Sequence, residues 1–239
     1  MTPTRHLRPI AGFTLVEMAI VLVIFALLAG GLMMTLTTQQ EIQRLSEARR
    51  QLADIREALI GYAVANGRLP APANPAVASG TAGAGEIDGT LMQGVVPWAS
   101  LGLPETDPWG QRFTYRVQAT FADSIATATV PSCNPDATPA APAQASFALC
   151  SKGNITVTDG AANIATNLPA VVISHGRNGL GGYRSTGLQV AGALGDEAEN
   201  ADNDTTFVSR TQGANFDDEA TWVPLPILMS RMIAAGRLP

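Results

Sequence analysis

From Met18 to Leu36 the chain has no charged residue, and the run Ala19–Thr38, AIVLVIFALLAGGLMMTLTT, is apolar all round. That is about the length that covers a ~30 Å hydrocarbon core at 1.5 Å per residue, so the pattern predicts a membrane-crossing helix. Beyond Thr38 the pattern turns amphipathic without a break. Leu45, Ala48, Leu52, Ile55, Leu59 and Tyr62 recur at alternating spacings of three and four, which lays them on one helical face. Glu41, Arg44, Glu47, Arg50, Asp54 and Glu57 fall mostly on the other faces, with both signs mixed, as a solvated surface. Asn66-Gly67 ends the helix and Pro70 keeps it from resuming. A helix from Phe13 to Asn66 would run about 80 Å. Its first half suits lipid or a bundle of like helices, and its second half has one stripe that needs a sheet to cover it. Gly30-Gly31 reads as a point of close helix packing, with local bending as the alternative.

The remainder alternates short apolar runs with turn residues. Residues 71–96 read as a loop of Ala, Gly, Pro and Thr. Phe113, Tyr115 and Val117 alternate with Thr114 and Arg116 as a half-buried strand, entered through an Asp107-Pro108-Trp109-Gly110 turn with an aromatic to pack beneath it. Further strands are expected at Ser146–Cys150, Ile155–Thr158, Ala170–Ser174 and Thr221–Val223. A last helix is expected from Ile227 to Ala235, left through Gly236. The sum is an α+β fold, a long N-terminal helix packed on an antiparallel β-sheet.

The start of the apolar run carries a second message. It reads Gly12-Phe13-Thr14-Leu15-Val16-Glu17-Met18, after a leader with Arg5 and Arg8 and no acid. A secretory signal places its cleavage site after the apolar run. Here the candidate junction precedes it, so cleavage would leave the apolar helix at the new N-terminus. This arrangement resembles the processing site of type IV prepilins and of the pseudopilins of type II secretion. The resemblance implies a pilin-like fold, cleavage after Gly12 and methylation of the new amine on Phe13. It also implies a role for Glu17 in subunit assembly, through attraction to the N-terminal amine of a neighbour. The Asp107–Gly110 turn leading into an aromatic strand is similar to a segment of major pseudopilins.

On this reading residues 1–12 are the leader, 13–38 the transmembrane and assembly helix, 39–66 its amphipathic continuation, and 67–239 a globular head. Basic residues in the leader hold it in the cytoplasm and place the head in the periplasm of a bacterial inner membrane, in a single pass, before the subunit enters a filament. The implied partners are a prepilin peptidase/N-methyltransferase, other pilin or pseudopilin subunits and an inner-membrane assembly platform. The function expected is that of a structural subunit of a type II secretion pseudopilus or related type IV filament, not an enzyme. The alternatives are a minor type IV pilin for adhesion or DNA uptake, and a periplasmic binding or enzymatic domain that uses the helix only as an anchor.

Composition narrows this further. The net charge is −5, and loss of a leader with two arginines leaves the mature chain more acidic still. General nucleic-acid binding, which draws its affinity from basic faces, is therefore not expected. About 170 residues follow the long helix, ample for a head with its own core. The two cysteines, Cys133 and Cys150, fall in the exported part and allow one intramolecular pairing, a disulfide.

Two candidate sites remain. Ser174-His175 lacks a nucleophile-elbow context, and neighbours on a strand point to opposite faces, so His175 reads as a structural histidine. The acidic run Asp196, Glu197, Glu199, Asp202 and Asp204 reads either as a solvated turn or as a set of hard-cation ligands, without the spacing of an EF-hand. Many major pseudopilins bind calcium in a C-terminal loop, which makes calcium the cation the resemblance implies; no other cofactor is expected. Asp217, Asp218 and Glu219 could add ligands from a second loop.

Overall fold

The computed structural model describes residues 12, 14–125, 133 and 144–238, and of the helical residues 28–38 only the backbone. The chain divides into two units, Met1–Gln43 and Arg44–Pro239.

One helix, α1 (Leu15–Asn66), runs through both. It stops where the sequence said it would: Gly67 takes a left-handed conformation (φ 72°), and its N–H returns to the Ala63 carbonyl. The basic end of the chain completes the cap. Arg237 donates from Nε to the Val64 carbonyl at 3.0 Å and from its terminal nitrogen to the Ala65 carbonyl, placing a cation on the negative end of the helix dipole. In the first unit, the described side chains from Leu15 to Leu27 are exposed. No helix is long and apolar enough to cross a membrane among the described residues. The apolar run expected to do so, Met18–Leu36, extends into residues 28–38, whose side chains lie outside the description, as do Gly30-Gly31.

The second unit is built on β6 (Ala170–Ser174), a run of consecutive buried residues. It is third in a four-stranded antiparallel sheet ordered β1 (Gln93–Val95), β3 (Thr114–Val117), β6 and β9 (Glu219–Trp222). Because side chains alternate along a strand, β6 serves two cores. Ala170 and Val172 join Phe113, Tyr115 and Val117 against the helix stripe Leu52, Ile55 and Leu59. Val171 and Ile173 turn the other way, into a second core with Ile155, Val157, Leu168 and Phe207. That second core belongs to a three-stranded sheet of β5 (Asn163–Leu168), β4 (Ile155–Thr158) and β8 (Thr206–Val208). A small pair, β2 (Gln111–Arg112) with β7 (Tyr183–Arg184), and the short helices α2 (Trp98–Leu101), α3 (Ala119–Ala122) and α4 (Asp196–Glu199) fill the connections. The chain returns through α5 (Leu225–Ala234), which puts Leu228 and Met232 into the first core.

The α+β class holds, with corrections. The strands form three sheets rather than one, and β4 pairs with β8 in parallel. Ser146–Cys150 is not a strand: the segment is irregular and ends in a turn closed by Ser151 N–H to the Ala148 carbonyl. Its apolar residue, Phe147, is committed instead to packing on Phe121, with ring centroids 4.7 Å apart. The 71–96 loop contains β1, whose Gly94 lets the Ala73 carbonyl approach within 2.4 Å of where a Cβ would sit. Cys133 and Cys150 are joined in a disulfide, Cα to Cα 5.5 Å.

Candidate functional site: the helix N-terminus and a buried carboxylate cluster

At the start of α1, Thr14 and Glu17 close on each other. The Glu17 carboxylate Oε2 accepts from the Thr14 backbone N–H at 2.9 Å and from its hydroxyl at 3.0 Å. In return the Glu17 N–H donates to Thr14 Oγ1 at 3.2 Å. This is a capping box, in which residues three apart satisfy backbone donors that an α-helix leaves orphaned at its first turn. The T-x-x-E spacing of Thr14 and Glu17 is the sequence signature of this box. Gly12 precedes the cap and is exposed. Phe13 lies outside the described residues.

Residues 7–33 match the family model described as the prokaryotic N-terminal methylation motif. The chain carries the signature of type IV pilin and pseudopilin precursors. No curated protein and no solved structure matches it. For a precursor of this type the motif implies processing by a prepilin peptidase and assembly with other pilin subunits. The matched residues include Gly12, Phe13 and Glu17, and the head lies wholly beyond them.

Beyond the matched motif, unusual chemistry gathers around the end of β6. Ser174 and His175 do face apart. The Ser174 hydroxyl donates to Asp107 Oδ2 at 2.7 Å, whereas His175 Nε2 meets Thr114 Oγ1 at 2.8 Å. Asp107 also accepts from the N–H groups of Trp109 and Gln111, so the Asp-Pro-Trp-Gly turn is held by its aspartate. Burial raises the Asp107 pKa, and these hydrogen bonds oppose it. The structure reverses the expected roles here, since Asp107 is buried while Trp109 is only half-buried. His175 is completely buried, and desolvation lowers its pKa to about 4, the Leu180 backbone opposing in part.

The expected cation loop does not close on itself. Asp196 pairs with Arg210 at 2.6 Å. Burial, then the charges of Asp204, Asp202 and Asp196, raises the Glu199 pKa, and burial with the charge of Asp204 raises that of Asp202; Arg116 lies nearby and donates to Asn203 Oδ1 at 2.8 Å. Glu197 alone turns inward. There it meets Asp217 and Asp218 from the loop before β9, each of the three offering a carboxylate oxygen within 4.8 Å of the others. Burial, then the neighbouring charges of Glu197 and Asp217, push Asp218 up to about 8 despite the hydrogen bond from Asn200. Gly176, in a left-handed conformation (φ 58°), makes the approach possible: a Cβ there would stand 2.3 Å from the Asp217 carbonyl oxygen.

Proposed function

We propose that this chain is a structural subunit, processed after Gly12 and methylated on Phe13, that assembles through its N-terminal helix into a type II secretion pseudopilus or a related type IV filament. The observation that carries the reading is the methylation motif over residues 7–33, with a helix that begins at its glutamate cap. The apolar run Met18–Leu36 would hold the precursor in the inner membrane and then pack among like helices. The assembly platform would extract it from there. The periplasmic head would act as a structural module rather than an enzyme. Ser174 and His175 are committed to different partners, which supports that view.

Glu17 gives the reading its sharpest test. Its Oε2 serves the cap, and an acidic group at the edge of an apolar helix calls for a partner. The methylated amine of an adjacent subunit would supply one, by a charge-assisted hydrogen bond. Intact-mass and N-terminal peptide analysis of membrane-extracted protein should find N-methyl-Phe13 as the first residue. Replacing Glu17 by leucine should spare membrane insertion and cleavage but sharply reduce incorporation into sheared or crosslinked filaments. A retained leader would refute the processing, and normal incorporation of Glu17→Leu would refute the role of Glu17 in register.

A further inference from the structure

The cation implied by resemblance is calcium, and the donors that converge in the head do not suit it. Calcium takes six to eight oxygens. Here three carboxylates meet beside a buried imidazole nitrogen. His175 Nδ1 has no hydrogen-bond partner and stands 3.7 Å from Asp218 Oδ2, both side chains fully buried. Asp217 Oδ1 and Asp218 Oδ1 are likewise buried without a partner. Three such orphaned buried atoms, on the cluster's two aspartates and on the imidazole beside Asp218, are costly unless something binds them.

The remaining contacts have the form of a metal site's outer shell. Each aspartate is held by one oxygen and leaves the other free. Asn178 N–H donates to Asp217 Oδ2 at 2.9 Å, and Asn200 Nδ2 donates to Asp218 Oδ2 at 2.8 Å. Asn178 Nδ2 also holds Glu197 Oε1 at 2.8 Å. Thr114 Oγ1 engages His175 Nε2, and an Nε2–H donated there leaves the lone pair on Nδ1, the tautomer that binds metal. Asp217 is only partly buried, which gives a cation a way in.

We propose that Glu197, Asp217, Asp218 and His175 form a mixed oxygen–nitrogen site for one divalent transition cation of the zinc class. Imidazole with carboxylates selects such cations over calcium, because a nitrogen donor is a poor substitute for a hard oxygen. The cation neutralises the converging carboxylates and ties α4 and the Asp217 loop to the end of β6. The inference does not depend on cleavage or filament assembly.

The test uses the full-length chain in detergent, dialysed against chelator and titrated with Zn²⁺, Mn²⁺, Co²⁺ or Ca²⁺. One Zn²⁺ per chain should bind, raising the melting temperature, and Ca²⁺ should bind at least tenfold more weakly. Co²⁺ should give visible absorption bands that shift in His175→Gln, a variant whose amide can still reach Thr114. Zn²⁺ affinity should fall at least tenfold in His175→Gln and be lost in Asp218→Asn, while Asp196→Asn, in the salt bridge outside the cluster, should bind as wild type. The wild-type protein supplies a readout independent of any variant. The chain has two histidines, His6 and His175, and the ¹⁵N signal of His175 Nδ1 should move on Zn²⁺ addition. No stoichiometric binding of any cation would overturn the proposal. So would Ca²⁺ binding as tightly as Zn²⁺ with an unmoved imidazole signal.

Discussion

Arg112 carries a full charge at 0% exposure, a placement that side-chain type alone argues against. Its guanidinium donates to Glu105 at 2.9 Å, to the carbonyls of Pro75 and Val77 at 2.9 Å each, and to the Ser185 carbonyl at 3.0 Å. It also lies 4.6 Å from the centre of the Trp98 ring. Thus one residue beside the aromatic strand fastens the 71–96 segment, which has little regular structure to hold it. The sequence did not disclose this, because its partners are backbone carbonyls far along the chain and carbonyls leave no compositional trace. The same holds for the carboxylate cluster. Acidity in the 196–204 run was legible, but which acid turns inward depends on α4 and on a loop about twenty residues downstream. The methylation motif over residues 7–33 was legible because that signal is local. Replacing Arg112 by methionine, similar in length but unable to donate, should cost about 3–5 kcal/mol by leaving several carbonyl acceptors without a donor and removing the cation beside Glu105. Arg112→Lys should recover only part of this, since an ammonium cannot span the same fork. Urea denaturation of the two variants against wild type would measure both.

At the scale of elements, long periodic patterns carry their structure in the sequence and short ones do not. The stripe from Ala48 to Leu59 is buried as its spacing required, with Leu45 and Tyr62 half-buried at its ends. β4 and β6 fall on the residues anticipated. β8 was missed because its three residues pair in parallel with β4 across a distant connection, and no local turn announces such a partner. Ser146–Cys150 misled because an apolar alternation in a short segment can be met by packing without a ladder, as Phe147 does on Phe121. The Cys133–Cys150 bridge anchors that segment beside the first core. Its removal in Cys133→Ser/Cys150→Ser should lower stability by about 3 kcal/mol, chiefly by freeing the unfolded chain. Thermal melts of the double variant and of the reduced wild type should agree. A melting temperature unchanged in both would show that the bridge adds nothing.

For the head as a whole, the decisive arrangement is that β6 belongs to both cores. Val172 packs toward the helix, and Ile173 packs toward the three-stranded sheet. Neither core can come apart without uncovering the strand that closes the other. The Arg44–Pro239 unit should therefore unfold in a single step. Val172→Ala and Ile173→Ala, which reach different cores, should each lower one common transition, the second by about 2–5 kcal/mol. Calorimetric and van't Hoff enthalpies should coincide. Two resolved transitions, each sensitive to only one variant, would contradict this.

On the proposed reading, a subunit standing in a fibre would also be a link that carries load. β6 is bonded along both edges, by β3 and β9, and covered on both faces. Traction arriving along the second half of α1 passes through the buried stripe into the first core and so reaches this strand, with the paired Arg49 and Glu219 adding a side tie to β9. A strand clamped from four directions offers no weak row from which yielding could start. Stretched, such a head would stay stiff up to one threshold and then give way at once, rather than lengthen by degrees.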